Sequence, residues 1–355
     1  MYRRRILLPC SKPCTNSDNM QQIKLENSKV VLRVNTFGGS YSDFHLKENP
    51  LNPINWEFGN PEFPPYKGHF LCFDRWGPPS EGEKANGFQH HGEVNTEDWK
   101  LLDQHQTKNN STECTMMCTL PMGGLQLKRK IRLSENEPFF FVTEEITNLN
   151  KYGRMYNIVQ HVTIAPPFLD NETLIDNNTE KGFENREDSS LNQEETVLKW
   201  PEVIHNGEKI SLQRFQNDWP RVSSFMFKQD EKRGWVTASN PGEKLMLGYI
   251  WDTEDYPWIN FWRDRKDGVP MAFGIEFGTT GLHEPFPVVA KKGKIFDRNL
   301  YDFIDAGETI IKSFIAFLAE IPDDYKGVGK IEISESIITV KEEGKNSREI
   351  LFKIY

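Results

Sequence analysis

Short runs rich in β-branched and aromatic residues recur along almost the whole chain, and they constrain its fold more than any other feature. In LQLKRKIRL, residues 125–133, apolar side chains occupy every second position except Arg129, as in a half-buried antiparallel strand. Turn-forming residues separate these runs, and no segment has the length and caps of a long amphipathic helix. Similar runs lie at 29–34, 138–149, 309–321 and 330–340. The sequence therefore predicts a predominantly β fold, a sandwich or a barrel.

The chain is predicted to form one large domain behind a short extension. All-β folds often exceed the usual domain size without splitting, so 355 residues do not require two domains. We expect residues 1–19 to be a disordered or leader extension and residues 20–355 to be a single domain, with the C-terminal strands of 328–355 packed on it. Residues 170–195 are acidic and rich in asparagine, which predicts a long solvated loop, with a calcium site as the alternative.

Charge and hydropathy exclude several classes of partner. The formal net charge is −9, and outside Arg3–Arg5 there is no basic stripe, so nucleic acid is not expected as a partner. No window has the length of a membrane span. The apolar run at residues 6–8 is too short for an export signal, which favours a cytoplasmic protein, although the basic N-terminus leaves export open. We expect a monomer or a homodimer.

The stretch FQHHGEV, residues 88–94, offers a metal site, a proton-transfer site or a polar loop. If it is a strand, His90 and His91 point to opposite faces and cannot both bind one ion, whereas His91 and Glu93 share a face. We therefore predict no metal site. The chain also lacks a phosphate-binding glycine-rich loop, and no cofactor is expected.

Two further ionisable residues stand in apolar surroundings. His161 lies in NIVQHVTIAPPFLD, and Glu276 is the one charged residue of MAFGIEFGTTGL. Either could be a structural residue bonded within the core, or an acid or base with a shifted pKa. An aromatic-rich segment at 249–268 precedes Glu276, and aromatic faces suit the C–H faces of sugar rings. Within it, Trp262 is the ring most expected to face a cleft.

Taken in order, three of these segments resemble the active-site segments of the aldose 1-epimerase (galactose mutarotase-like) family. They are HHGEV, QHVTIAPPFLD and PWINFWRDRKDGVPMAFGIEFGTTGL, and DAGETIIKSFIAFL resembles the family's closing strand. The chain departs from the family pattern at Phe277, where proline is usual, and at Val162 and Thr163, as in a divergent member. The resemblance implies a large antiparallel β-supersandwich of the galactose mutarotase type and a carbohydrate mutarotase that needs no cofactor.

The resemblance also assigns roles to individual residues. Glu276 is the expected base, His161 the expected acid, and His91 stabilises charge near the ring oxygen and C1. The expected substrate-binding residues are Arg75, Glu93 and Trp262. The expected substrate is a monosaccharide or an oligosaccharide.

Two other functions fit the same residues. One is a glycoside hydrolase or polysaccharide lyase that uses Glu276 together with Glu93, since hydrolysis requires two carboxyl groups. The other is a carbohydrate-binding protein without catalysis. A phosphorylated sugar held by Arg75, Arg263 or Arg265 remains an alternative substrate.

Overall fold

The computed structural model describes residues 21–60, 62–107, 111–185, 197–205, 208–215, 222–345 and 347–354. Helical structure in these residues is limited to α1 (Glu81–Ala85), α2 (Phe286–Lys292) and a 3-10 turn at Val94–Thr96. Among the same residues, no helix is long and apolar enough to cross a membrane. The extension predicted at residues 1–19 lies outside the described residues.

Strands make up nearly all of the regular structure. The strands up to residue 205 are β1 (Gln22–Glu26), β2 (Val30–Asn35), β3 (Tyr41–Leu46), β4 (His69–Phe73), β5 (Lys100–Gln106), β6 (Thr112–Leu120), β7 (Leu125–Leu133), β8 (Phe139–Asn148), β9 (Arg154–Tyr156), β10 (Ile158–Ile164), β11 (Leu174–Asn177), β12 (Lys181–Asn185), β13 (Leu198–Lys199) and β14 (Glu202–His205). The later strands are β15 (Glu208–Ser211), β16 (Val222–Met226), β17 (Arg233–Asn240), β18 (Leu245–Asp252), β19 (Trp258–Lys266), β20 (Val269–Gly278), β21 (Lys294–Ile295), β22 (Arg298–Asn299), β23 (Asp302–Ile304), β24 (Thr309–Glu320), β25 (Val328–Ile333), β26 (Ile337–Glu342) and β27 (Glu349–Lys353).

Two large antiparallel sheets form the body of the protein. The first has the order β1-β2-β3-β4-β10-β20-β19-β16-β12-β13, and the second has the order β11-β17-β18-β24-β8-β7-β6-β5. Their facing sides share one apolar core, which includes Leu32 and Phe44 from the first sheet and Leu127, Val142 and Leu247 from the second. The predicted all-β fold built on large antiparallel sheets is confirmed.

The last three strands form a small separate sheet, β25-β26-β27, on the other side of the second large sheet. Phe139 and Phe317 point away from the main core and pack in one cluster with Ile338 and Phe352. The carboxylate of Asp176 accepts a hydrogen bond from the backbone N–H of Val328 at 2.8 Å. The second sheet is therefore buried on both faces where this small sheet covers it.

The loop predicted over residues 170–195 is wrong in part. β11 and β12 fall inside this range, while residues 186–196 lie outside the described residues. Leu174, Ile175 and Phe183 are buried, and they fix the two short strands against the core. The acidic composition concealed these apolar anchors because a polar stretch, residues 176–182, separates Phe183 from the other two.

Arg129, the apparent break in the alternation of β7, points into the core with its apolar neighbours. Its guanidinium forms an ion pair with Glu144 on β8 at 2.8 Å, and both side chains are almost fully buried. Gln160 on β10 donates to the other oxygen of Glu144 at 2.7 Å and bonds to His69 on β4 at 3.0 Å. This chain of buried polar contacts joins the two large sheets through the core.

Candidate active site

Glu276 and His161 lie side by side because of the register between two strands. β10 pairs with β20 so that Gln160 faces Phe277, and the same register puts His161 opposite Glu276. Side chains alternate along a strand. Because Gln160 and Phe277 point into the core, His161 and Glu276 point to the outer face of the sheet. On β4, Phe70 pairs with His161. One row of side chains therefore crosses three strands, with neighbours about 5 Å apart.

Two ring nitrogens contact the carboxyl group of Glu276. His161 Nε2 lies 3.2 Å from Oε1, and the indole Nε1–H of Trp76 donates to Oε2 at 2.9 Å. His161 Nδ1 lies 3.1 Å from the hydroxyl of Thr163. Thr163 is one of the positions where the sequence departs from the family pattern, and it supplies the partner that orients this imidazole.

Burial shifts the pKa values of this pair toward uncharged side chains. It raises the pKa of Glu276 well above its usual value, and the hydrogen bond from Trp76 opposes this shift. It lowers the pKa of His161 well below its usual value, and the nearby imidazoles of His283 and His90 add to that effect. Both shifts favour the uncharged carboxyl and imidazole groups over an ion pair.

The segment FQHHGEV is not a strand, and the strand geometry expected for its two histidines is wrong. Residues 86–92 form turns, His91 has a φ of 62° and Gly92 a φ of 83°. A Cβ atom on Gly92 would lie 2.2 Å from the carbonyl oxygen of Phe73, so only glycine fits there. The ring centroids of His90 and His91 are 3.8 Å apart, and both rings line the same cavity.

The backbone fixes the tautomer of His91. The backbone N–H of His91 donates to the carbonyl oxygen of Gly77 at 3.1 Å. The backbone N–H of Gly77 donates in turn to the ring nitrogen Nδ1 of His91, also at 3.1 Å. Burial lowers the pKa of His91 well below its usual value, so the ring is neutral. Because Nδ1 accepts a hydrogen bond, the ring proton lies on Nε2. His91 is thus a hydrogen-bond donor of fixed orientation.

Three histidines are close enough together to be considered as metal ligands. Ring nitrogens of His90, His91 and His283 lie within 4.8 Å of one another. Burial lowers the pKa of His90 to about 4 and that of His283 to about 3, so both rings are neutral. A metal ion binds the lone pair of a ring nitrogen, and His91 has none free: Nδ1 accepts the hydrogen bond from Gly77, and Nε2 carries the proton. The donor set therefore fits a metal ion poorly.

A cavity of about 560 Å³ opens over the row that contains His161 and Glu276. His91 and Trp262 also line it, so the structure brings together four of the six predicted site residues. The ring centroids of His91 and His161 are 5.4 Å apart, and those of Trp262 and His161 are 6.2 Å apart. Aromatic rings form much of the remaining wall, and these are Trp56, Phe58, Phe63, Tyr66, Phe70 and Trp76.

Arg75 and Glu93 are not brought to this cavity. Arg75 forms ion pairs with Asp74 at 2.9 Å and Glu83 at 2.5 Å, and its guanidinium lies over the ring of Phe286. Glu93 is buried beneath the turn between β6 and β7, where its carboxylate accepts two backbone hydrogen bonds, the shorter from the N–H of Gly123 at 2.7 Å. Both side chains stabilise the loops around the site, and neither is among the lining residues.

Sequence reasoning missed Trp76, His283 and Glu284, which all line the cavity. His283 and Glu284 follow β20 only a few residues after Glu276, so proximity in sequence was an available signal. Trp76 precedes Gly-Pro-Pro and is 200 positions from its partner Glu276, so no local pattern connects the two. The aromatic residues between β3 and β4 were a further unused signal, because rings recur there every few positions.

Solved structures with this architecture are found at low sequence identity. A galactose mutarotase related enzyme from Lactobacillus acidophilus matches with a TM-score of 0.60 and 14% identity, over 86% of this chain and 100% of its own. A galactose mutarotase-like protein from Clostridium acetobutylicum matches with a TM-score of 0.59 and 12% identity, over 85% and 96%. A galactose mutarotase-like protein from Lactobacillus casei matches with a TM-score of 0.58 and 13% identity, over 84% of this chain and 100% of its own.

Sequence comparison adds no closer relative, since neither a protein-family model nor a curated protein matches the chain. The likeness to the solved structures therefore rests on the arrangement of strands. The resemblance inferred from the three ordered segments is confirmed at that level, and the chain has the galactose mutarotase-like fold.

Proposed function

We propose that the protein is a mutarotase, which interconverts the anomers of an uncharged reducing sugar in the cavity over Glu276 and His161. The observation that carries the proposal is the direct contact between Oε1 of Glu276 and Nε2 of His161 at 3.2 Å, in a pair that lines the cavity. Anomer exchange requires one base and one acid at neighbouring oxygens of the same sugar. A carboxyl and an imidazole group in contact provide both.

In the proposed mechanism, the reactive form of the pair has a protonated His161 and an ionised Glu276, a form that burial disfavours relative to the uncharged pair. Glu276 removes the proton of the C1 hydroxyl while His161 gives its proton to the ring oxygen, so the bond from C1 to the ring oxygen breaks and an aldehyde forms. Rotation about the C1–C2 bond and the reverse transfers close the ring on the other face. The Nε2–H of His91 donates a hydrogen bond to the oxygen on which charge develops.

The charge of the cavity supports an uncharged sugar over a phosphorylated one. Among the described residues, no lysine or arginine lines the cavity. Arg263 and Arg265, considered above as phosphate partners, donate to the backbone carbonyls of Leu212 and Phe215. Glu284 lines the cavity, and no cation among the described lining residues would pair with a phosphate group.

The hydrolase alternative that pairs Glu276 with Glu93 has less support. It requires a second carboxyl group beside Glu276, and Glu93 accepts hydrogen bonds from a turn outside the cavity. A carbohydrate-binding protein without catalysis would use the same aromatic rings, and the contact between Glu276 and His161 would then have no catalytic role. Activity measurements on the intact protein distinguish these functions.

The test uses freshly dissolved single anomers of glucose, galactose and other neutral hexoses, together with hexose 6-phosphates. Polarimetry or exchange NMR follows the approach to the anomeric equilibrium, with the spontaneous rate as the baseline. We expect acceleration of at least one neutral sugar and a weaker effect on its phosphate. Saturable binding with no acceleration across the panel would contradict the mutarotase proposal and favour a binding protein. Release of new reducing ends from oligosaccharides would favour a hydrolase.

Trp76 is proposed as a positioning residue that acts through Glu276. Replacing it with phenylalanine removes the one hydrogen bond to Oε2, which stabilises the ionised carboxylate, so the pKa of Glu276 rises further. Hydrogen bonds to charged groups contribute about 1.5–3 kcal/mol, so kcat at neutral pH should fall by about 10- to 100-fold.

The pH–rate profile of Trp76→Phe should shift to higher pH, because a higher pH is needed to ionise Glu276. Trp258→Phe is the control, since its indole donates to the carbonyl of Asn299 and not to Glu276. An equal shift of the profile in both variants would exclude the positioning role.

A further inference from the structure

The connection between β3 and β4 forms an aromatic wall on one side of the cavity. Trp56 is stacked on Phe58 with ring centroids 5.7 Å apart, and Phe58 meets Phe63 edge to face at 5.5 Å. Trp56 also contacts Phe70 at 6.1 Å, and Phe70 is stacked on His161 at 4.1 Å. Ring contacts therefore lead without interruption from the proposed acid to the outer part of the cavity.

The outer rings of this wall are left open. Phe70 is buried in the row of site residues, whereas Trp56, Phe58 and Phe63 are only half-buried and line the cavity. Each square ångström of apolar surface left in water costs about 25 cal/mol. Three adjacent, partly open rings beside a polar site therefore indicate a surface that a ligand covers.

The cavity has more room than one sugar ring requires. A hexose has twelve non-hydrogen atoms and occupies at most about 360 Å³, even if each takes the ~30 Å³ of a liquid water molecule. The cavity measures about 560 Å³, so about 200 Å³ remains when a hexose is bound at Glu276 and His161. The aromatic wall extends from Phe70 toward this remaining volume.

We infer that Trp56, Phe58 and Phe63 form a subsite for a second, uncharged sugar unit, so that the substrate is a reducing disaccharide or longer oligosaccharide. The reducing unit lies at the acid–base pair and the next unit places a C–H face on Trp56. No lysine or arginine among the described lining residues would pair with a uronate or sulfate at this position. This inference rests on the proposed function, because it assumes that the reducing end is bound at His161 and Glu276.

The experiment compares a neutral reducing disaccharide with the monosaccharide of its reducing end, using lactose with glucose and maltose with glucose. Isothermal titration calorimetry gives the affinities, and polarimetry gives KM and kcat. The wild-type protein should bind at least one of the disaccharides about 10-fold more tightly than glucose. Trp56→Ala should raise the disaccharide KM about 3- to 10-fold more than it raises the glucose KM.

Phe303→Ala is the matched control, because this ring is 58% exposed and lies outside the cavity. Phe58→Ala serves as the second variant if Trp56→Ala fails to fold. Equal affinities for disaccharide and monosaccharide, or an equal loss for both in Trp56→Ala, would overturn the subsite. The titrations do not depend on turnover, so tight disaccharide binding without anomer exchange would contradict the proposed catalysis and leave the subsite standing.

Discussion

Replacing Glu276 with glutamine is expected to slow enzymatic anomer exchange by about 10²- to 10⁴-fold, the contribution of one positioned proton transfer. The amide has nearly the same shape, and its oxygen can still accept the hydrogen bond from Trp76, so the surrounding structure is retained. It cannot accept the proton of the C1 hydroxyl. Polarimetry with a single anomer of the best substrate measures the loss, and titration calorimetry should show that binding persists.

Glu93→Gln is the matched control for this experiment. Both glutamates are almost fully buried, but Glu93 bonds to the backbone of a turn outside the cavity. We expect its glutamine variant to exchange anomers nearly as fast as the wild type if it remains folded. An unchanged rate for Glu276→Gln on every reactive sugar would remove Glu276 from the reaction.

The second large effect is expected on stability. Arg129→Met should reduce the free energy of unfolding by about 3–5 kcal/mol, because it leaves the carboxylate of Glu144 buried without its cation. Chemical denaturation followed by tryptophan fluorescence measures the change. The substitution keeps an apolar side chain of similar length in the core, so lost packing contributes little.

Lys128→Met provides a control on the same two strands. Lys128 pairs with Glu145 at the surface, where both side chains are about 40% exposed, and such pairs contribute about 0–1 kcal/mol. The double variant Arg129→Met/Glu144→Gln should recover part of the loss, because neither position of the pair then carries a buried charge. Equal destabilisation by Arg129→Met and Lys128→Met would show that breaking the buried ion pair reduces the free energy of unfolding no more than breaking the surface pair.

Local patterns in the sequence were sufficient to predict strands and to find part of the site. Alternation in β7 identified a half-buried strand, and an isolated charge in an apolar run identified Glu276. The order of the strands could not be predicted, since β10 lies between β4 and β20, which are distant in sequence. Patterns of period two report which face of a strand is buried, but they do not report its neighbours.

The errors have equally specific causes. His90 was separated from His91 on the assumption of a strand, and the positive φ of His91 is a conformation that residues other than glycine adopt only infrequently. Arg75 was predicted to bind substrate because of the family resemblance, but Asp74 and Glu83 pair with it. Arg75 and Glu83 meet only after the intervening chain has folded into a loop and helix α1, which a residue pattern does not encode.

The register between β10 and β20 has a consequence for changing the specificity of this protein. The distance between His161 and Glu276 is set by the spacing of two paired strands inside a ten-stranded sheet. The aromatic wall is carried by the separate connection between β3 and β4. Under the proposed function, the connection between β3 and β4 is therefore the segment to redesign for other sugars, because the proposed acid and base keep their separation when that connection changes.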